Sequence, residues 1–228
     1  SVRPRPPQPS GRGSRFKGLL SAMSAKLMSI VRALGAVALF VTVSSATTPA
    51  SAQAAPPVKP PAIAQTCVAC HGAKGISSTR NTPSLAGQPD IFTQYQLVFM
   101  RDGARQAGVM QAVVKNLTDD NIRDLGAYYA ALPPPPALAA KSEVAIDTEK
   151  VTGLLTSRHC DSCHKADFAG QGESARLAGQ RPEYLKKSLT DFRTGVRRGR
   201  GMGAMIEVSV TLHDQEIDMI AAYLARKP

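Results

Sequence analysis

Two five-residue stretches constrain the fold more than anything else in the chain: CVACH at 67–71 and CDSCH at 160–164, which hold all four cysteines and two of the four histidines. They open a repeat. LAGQ at 85–88 returns as LAGQ at 177–180, and Leu97, Arg101, Gly103 and Arg105 return 92 residues later as Leu189, Arg193, Gly195 and Arg197. Met110, Leu117, Asp119, Ile122 and Tyr128 return 95 residues later as Met205, Leu212, Asp214, Ile217 and Tyr223. A three-residue insertion in RRGRGMG (197–203) accounts for the change of offset. Four consecutive prolines, 133–136, lie between the copies and cannot continue a helix. The reading is therefore two tandem units, 62–132 and 148–228, joined by a Pro-rich linker, 133–147.

Each unit reads as all-α. LTDDNIRDLGAYYAAL places Ile122, Leu125, Tyr128 or Tyr129, and Leu132 on one stripe, with Thr118 as N-cap and Asp119 and Asp120 in the first turn. LHDQEIDMIAAYLARK repeats the pattern with Ile217, Ile220 and Leu224, and His213 stands at the cap position. Segments 89–102 and 182–194 are further expected helices. IEVSVTL (206–212) alternates like a strand and is expected to be an extended loop. Units of this size are small for a self-sufficient core, so a large apolar ligand would help each one fold.

Cys-x-x-Cys-His is the attachment motif of c-type haem. On helical backbone the first Cys, the second at i+3 and the His at i+4 project to one side. Cys67 and Cys70 can then add to the haem vinyl groups while His71 reaches the iron, and Cys160, Cys163 and His164 can do the same for a second haem. A zinc ribbon expects Cys pairs about 15–20 residues apart, whereas Cys70 and Cys160 are 90 apart. A thioredoxin-like dithiol expects a βαβ context, which is missing. Two disulfides would explain neither the adjacent histidines nor the repeat. His159 has Thr66 as its counterpart and reads as a bystander beside His164.

A low-spin haem carrier needs a second axial ligand, commonly Met. The repeat selects Met110 and Met205, each seven residues before the Leu that opens the last helix. Met202 is a rival to Met205 because it sits at the upstream offset of 92 from Met110. Met100 and Met219 fall in apolar helical stretches and read as core.

CVACHGAKGIS, NTPSLAGQPDIFTQYQLVFMRDGAR, Met110 and LTDDNIRDLGAYYAALPPP resemble the first half of the two-haem cytochrome c4 family, and residues from about 62 to 228 share its layout. The resemblance implies two tandem class I cytochrome c domains, each wrapped around a covalent haem c with His/Met iron ligation. It also implies soluble or membrane-associated electron delivery in the periplasm, with redox proteins as partners, often towards a terminal oxidase. In this family a Pro carbonyl holds the axial His, a role that falls to Pro83 for His71. The second unit departs, with Ala175 in place of Pro83 and Lys165 in place of Gly72. The runner-up is the haem subunit of a periplasmic dehydrogenase, such as a flavocytochrome c sulfide dehydrogenase. A two-haem peroxidase is disfavoured by the Met available in both units.

The formal net charge of +11 would suggest nucleic acid were it not so unevenly placed. Arg3, Arg5, Arg12, Arg15, Lys17, Lys26 and Arg32 supply seven of those charges, and residues 1–52 contain no acid. That segment reads as a leader. Residues 1–22 resemble an overlong start; 23–52 reads as a signal peptide, with the apolar run ALGAVALFVTVSSA and cleavage after Ala52 into the periplasm, and an uncleaved anchor is the alternative. Residues 53–61 form an extended lead-in. The four haem propionates would bring the remainder close to neutral, leaving Arg193, Arg197, Arg198 and Arg200 as a local patch for an acidic redox partner. For Arg101, Arg105, Arg193 and Arg197 the choice lies between a solvated helix face and pairing with propionates or partner carboxylates.

Overall fold

The computed structural model describes residues 59–139 and 146–228. The leader 1–52, its cleavage site and most of the lead-in 53–61 lie outside the described residues, as does 140–145 of the linker. Among the described residues the structure is helical, with a lone bridge between Gln171 and Ser174 and no strand.

The first unit begins with a 3₁₀ turn, Ala62–Ala64, that leads into α1 (Gln65–His71). Then follow α2 (Asp90–Arg101), α3 (Val109–Val114) and α4 (Asp119–Ala131). The second unit contains α5 (Thr148–Ser157), α6 (Cys160–His164), α7 (Pro182–Arg193), α8 (Gly203–Ser209) and α9 (Asp214–Ala225). In each unit the two long helices of the repeat pack on each other, α2 on α4 and α7 on α9.

Local signals place these helices. Thr118 caps α4: its Oγ1 accepts from the Asn121 N–H, and the Asn121 side chain accepts from the Thr118 N–H. His213 stands at the cap of α9, where its backbone N–H donates to Glu216. Ile122, Leu125, Tyr128 and Tyr129 are buried on α4, as are Ile217, Ile220 and Leu224 on α9. Each such aliphatic side chain contributes about 1.5–3 kcal/mol of burial. Met100 and Met219 lie in these two cores, as expected of them.

Residues 206–212 differ from expectation. They are not an extended loop: most of them belong to α8, which packs on α7. Ala204, Glu207 and Val210 are exposed while Met205, Ile206, Val208 and Ser209 turn inward, a helical period. The β-branched alternation of so short a window could not reveal it, since burial against α7 decides the conformation.

Both units belong to one compact body. The Pro-rich linker wedges between them. At Gly87 (φ +69°) an added Cβ would lie 2.7 Å from Pro134 Cβ, and at Gly179 (φ +69°) it would lie 2.6 Å from the Pro135 carbonyl oxygen. The two LAGQ turns therefore close on neighbouring prolines.

Candidate haem-binding sites

Helix α1 carries Cys67, Cys70 and His71, and α6 carries Cys160, Cys163 and His164. All four thiols are free; Cys70 and Cys163 are exposed, while Cys67 and Cys160 pack against their own cores. Each motif histidine is buried at the end of its helix and bound through Nδ1. His71 Nδ1 lies 2.8 Å from the Pro83 carbonyl oxygen, and His164 Nδ1 lies 2.7 Å from that of Ala175. A carbonyl only accepts, so Nδ1 carries the proton and donates, which leaves Nε2 as a lone-pair donor. Burial lowers both imidazole pKa values, against the smaller raising effect of the carbonyl bonds, and keeps the rings neutral. The carbonyl hydrogen bond is thus present at Ala175 without proline. His159 is exposed, with φ +54°, at the residue before α6.

The second unit places three non-glycine residues at positive φ, His159, Lys165 and Phe168, and one of them has a glycine as its counterpart in the first unit. Lys165 takes φ +67° and ψ +161° where Gly72 takes φ +82° and ψ +151°. The turn after the motif histidine is the same in both units, and in the second a side chain bears its cost.

Met110 is the second residue of α3, is partly buried and packs against the first core, as Cys67 does. Met110 lies four residues before the fully buried Val114 that ends α3, and Met205 lies four residues before the fully buried Ser209 that ends α8. Met202 is more deeply buried but sits outside α8, at its cap.

The four repeated arginines divide into two pairs, neither of which is a plain solvated face. Arg101 donates to the Leu117 carbonyl and to Asp119, and Arg193 repeats this on the Leu212 carbonyl and Asp214, tying α2 to α4 and α7 to α9. Arg105 and Arg197 instead meet at the junction of the units. Arg105 donates to Gln96 Oε1 at 2.6 Å, and Arg197 donates to the same oxygen at 3.0 Å and to Ser188 at 3.3 Å. Arg197 is 7% exposed and lies over the Phe192 ring, 4.4 Å from its centroid. The cationic patch expected at 193–200 therefore shrinks to Arg198 and Arg200, because Arg193 and Arg197 are engaged inside the protein.

The arginines at the junction also test whether haem fits. The Nε atoms of Arg105, Arg181 and Arg197 are buried with no partner, and among the described residues Arg105 and Arg197 make no ion pair. Burial raises the Tyr184 phenol, but Arg197 and Arg105 outweigh that and lower it. The buried Arg197 and the half-buried Arg105, with no carboxylate on either, call for an anion. Haem propionates would supply such an anion, so the donor set at the junction is compatible with the group.

Two family models match the chain: one described as cytochrome c oxidase, cbb3-type, subunit III, over residues 62–128, and one described as cytochrome c, over 149–226. The thiosulfate dehydrogenase electron acceptor of Thiomonas intermedia (strain K12) is 32% identical over 191 residues, covering 79% of this chain and 84% of that protein. Cytochrome c4 of Pseudomonas aeruginosa is 31% identical over 169 residues, covering 71% of this chain and 83% of that protein. The structure of cytochrome c4 from Acidithiobacillus ferrooxidans superposes with a TM-score of 0.63 at 28% identity, covering 71% of this chain and 99% of that one. With both Cys-x-x-Cys-His motifs, these matches assign two covalently bound haem c groups and an electron-transfer role.

Proposed function

The chain belongs to the two-haem cytochrome c4 family, and from that premise we propose that it is a periplasmic respiratory carrier that takes electrons from a donor protein and delivers them towards a terminal oxidase. The observation that carries this reading is the duplicated pair of buried histidines, each with Nδ1–H held by a carbonyl, His71 on Pro83 and His164 on Ala175. Haem, when bound, supplies a one-electron Fe(III)/Fe(II) couple in each unit. Cys67, Cys70, Cys160 and Cys163 tether the two groups as thioethers. His71 and His164 would offer neutral Nε2 to the irons, and Met110 and Met205 would supply a second ligand to each. Arg105 and Arg197 would take propionates at the junction, where neither has an ion-pair partner among the described residues. Export by a signal peptide cleaved after Ala52 rests on the composition of 23–52.

A second reading has support from the Thiomonas relative, named as an electron acceptor for a dehydrogenase. On that reading the donor is a periplasmic dehydrogenase, bound transiently or as a catalytic subunit. A redox titration with haem stoichiometry tests the first reading: two haems per chain, both at high potential, are expected, and one low-potential haem would overturn delivery to an oxidase. Stable co-purification with a flavin-containing or other dehydrogenase subunit would favour the second.

A further inference from the structure

The LAGQ glutamines have no part in the site as described so far, yet both are buried and each reaches into the other unit. Gln180 is 3% exposed; its Oε1 accepts from the Ser84 N–H at 2.8 Å, and its Nε2 donates to the Ser84 carbonyl at 2.9 Å. Gln88 is 5% exposed and does the same in reverse. Its Oε1 accepts from the Arg176 N–H at 3.0 Å and its Nε2 donates to the Arg176 carbonyl at 2.9 Å. Ser84 and Arg176 occupy matched positions in the repeat, so the two clasps are the same contact made in both directions.

What they grip matters. Ser84 directly follows Pro83, whose carbonyl holds His71, and Arg176 directly follows Ala175, whose carbonyl holds His164. A peptide plane is rigid, so fixing the N–H of Ser84 fixes the C=O of Pro83 that shares its plane. The same holds for the Arg176 N–H and the Ala175 carbonyl. A side-chain amide that satisfies both backbone groups of one buried residue leaves that segment no other hydrogen-bonding choice.

We infer that Gln88 and Gln180 are positioning residues acting across the junction, each setting the strength of the axial-histidine hydrogen bond in the opposite unit and thereby the potential of the opposite haem. A tighter Nδ1–H···O bond makes the imidazole a stronger donor and favours Fe(III). Loosening it therefore raises the potential. Each unit thus holds the peptide that carries the other's histidine-bonding carbonyl, so the contact runs in both directions. The inference rests on iron ligation by His71 and His164.

The test is a redox titration of the full-length two-haem protein followed by paramagnetic NMR, with each haem's shifted signals assigned to its own unit by nuclear Overhauser contacts. Gln180→Ala is expected to raise the potential of the His71 haem and leave the His164 haem in place. Gln88→Ala is expected to move the His164 haem alone. Gln180→Met, which keeps the side-chain volume and adds no charge but can neither accept from the Ser84 N–H nor donate to its carbonyl, is expected to give a rise at the His71 haem like that of alanine and serves if the alanine variant does not fold. A shift confined to the variant's own unit, equal shifts of both haems, or no shift would overturn the inference. A wild-type protein without two covalent haems would overturn the haem reading and this one with it.

Discussion

Gly87→Ala tests how tightly the linker is wedged between the units. Gly87 has φ +69°, and its missing Cβ would sit 2.7 Å from Pro134 Cβ and 3.0 Å from Pro134 Cα. Two costs add. A non-glycine residue in the left-handed region costs about 1–2 kcal/mol, and forcing a methyl against a fixed neighbour costs about 1–3 kcal/mol. Gly103 provides the control: it has φ +75°, and an added Cβ there would meet nothing within 4 Å. Gly103→Ala should therefore cost the backbone part alone, about 1–2 kcal/mol, and Gly87→Ala about 2–5 kcal/mol in total. The effect of alanine on the unfolded chain is the same in both variants and cancels in the comparison. Urea unfolding at unchanged slope, followed by far-ultraviolet circular dichroism and the haem Soret band, gives the difference directly. Equal losses in the two variants would refute the reasoning, because they would mean that Pro134 gives way freely and the LAGQ turn does not close on the linker.

Met205→Ala should remove about half of the Met-to-iron charge-transfer absorbance, since one of two haems loses its ligand; loss on Met202→Ala with retention on Met205→Ala would show that the α8 register argument is wrong. Stability should fall as the pH is lowered from about 7.5 to 5.5. The unfolded histidines take up protons near pH 6.5, while burial holds His71 and His164 neutral in the fold. A urea midpoint that stays flat across that window would contradict the sign. Arg198→Glu should slow reduction by an acidic redox partner and weaken its dependence on ionic strength, a test of the patch that Arg198 and Arg200 retain; stopped-flow kinetics unchanged by the substitution would remove that docking site.

The sequence alone determined the repeat, the two Cys-x-x-Cys-His motifs, and the long helices with their caps and buried stripes. All of these are local: a motif within five residues, a stripe with a period of 3.6, a cap that reaches three residues. Thr118 and Ile122 do in the structure what their neighbours in the chain said they would. The tertiary structure alone decided the rest. Residues 206–212 are mostly helical because α8 finds α7, a partner that the short window does not contain. LAGQ was visible as a repeat but silent as to use, since Gln88 meets Arg176 and Gln180 meets Ser84 only once the units dock. For Arg105 and Arg197 the sequence left a solvated face and pairing both open, and the structure brings both guanidinium groups to the one Gln96 oxygen at the junction. Spacing along the chain can specify a covalent tether to haem, because the tether needs only neighbours. The resemblance already pointed to Pro83 as the carbonyl for His71, but the glutamines that clamp Ser84 and Arg176, the residues after those carbonyls, come from opposite units that spacing cannot bring together.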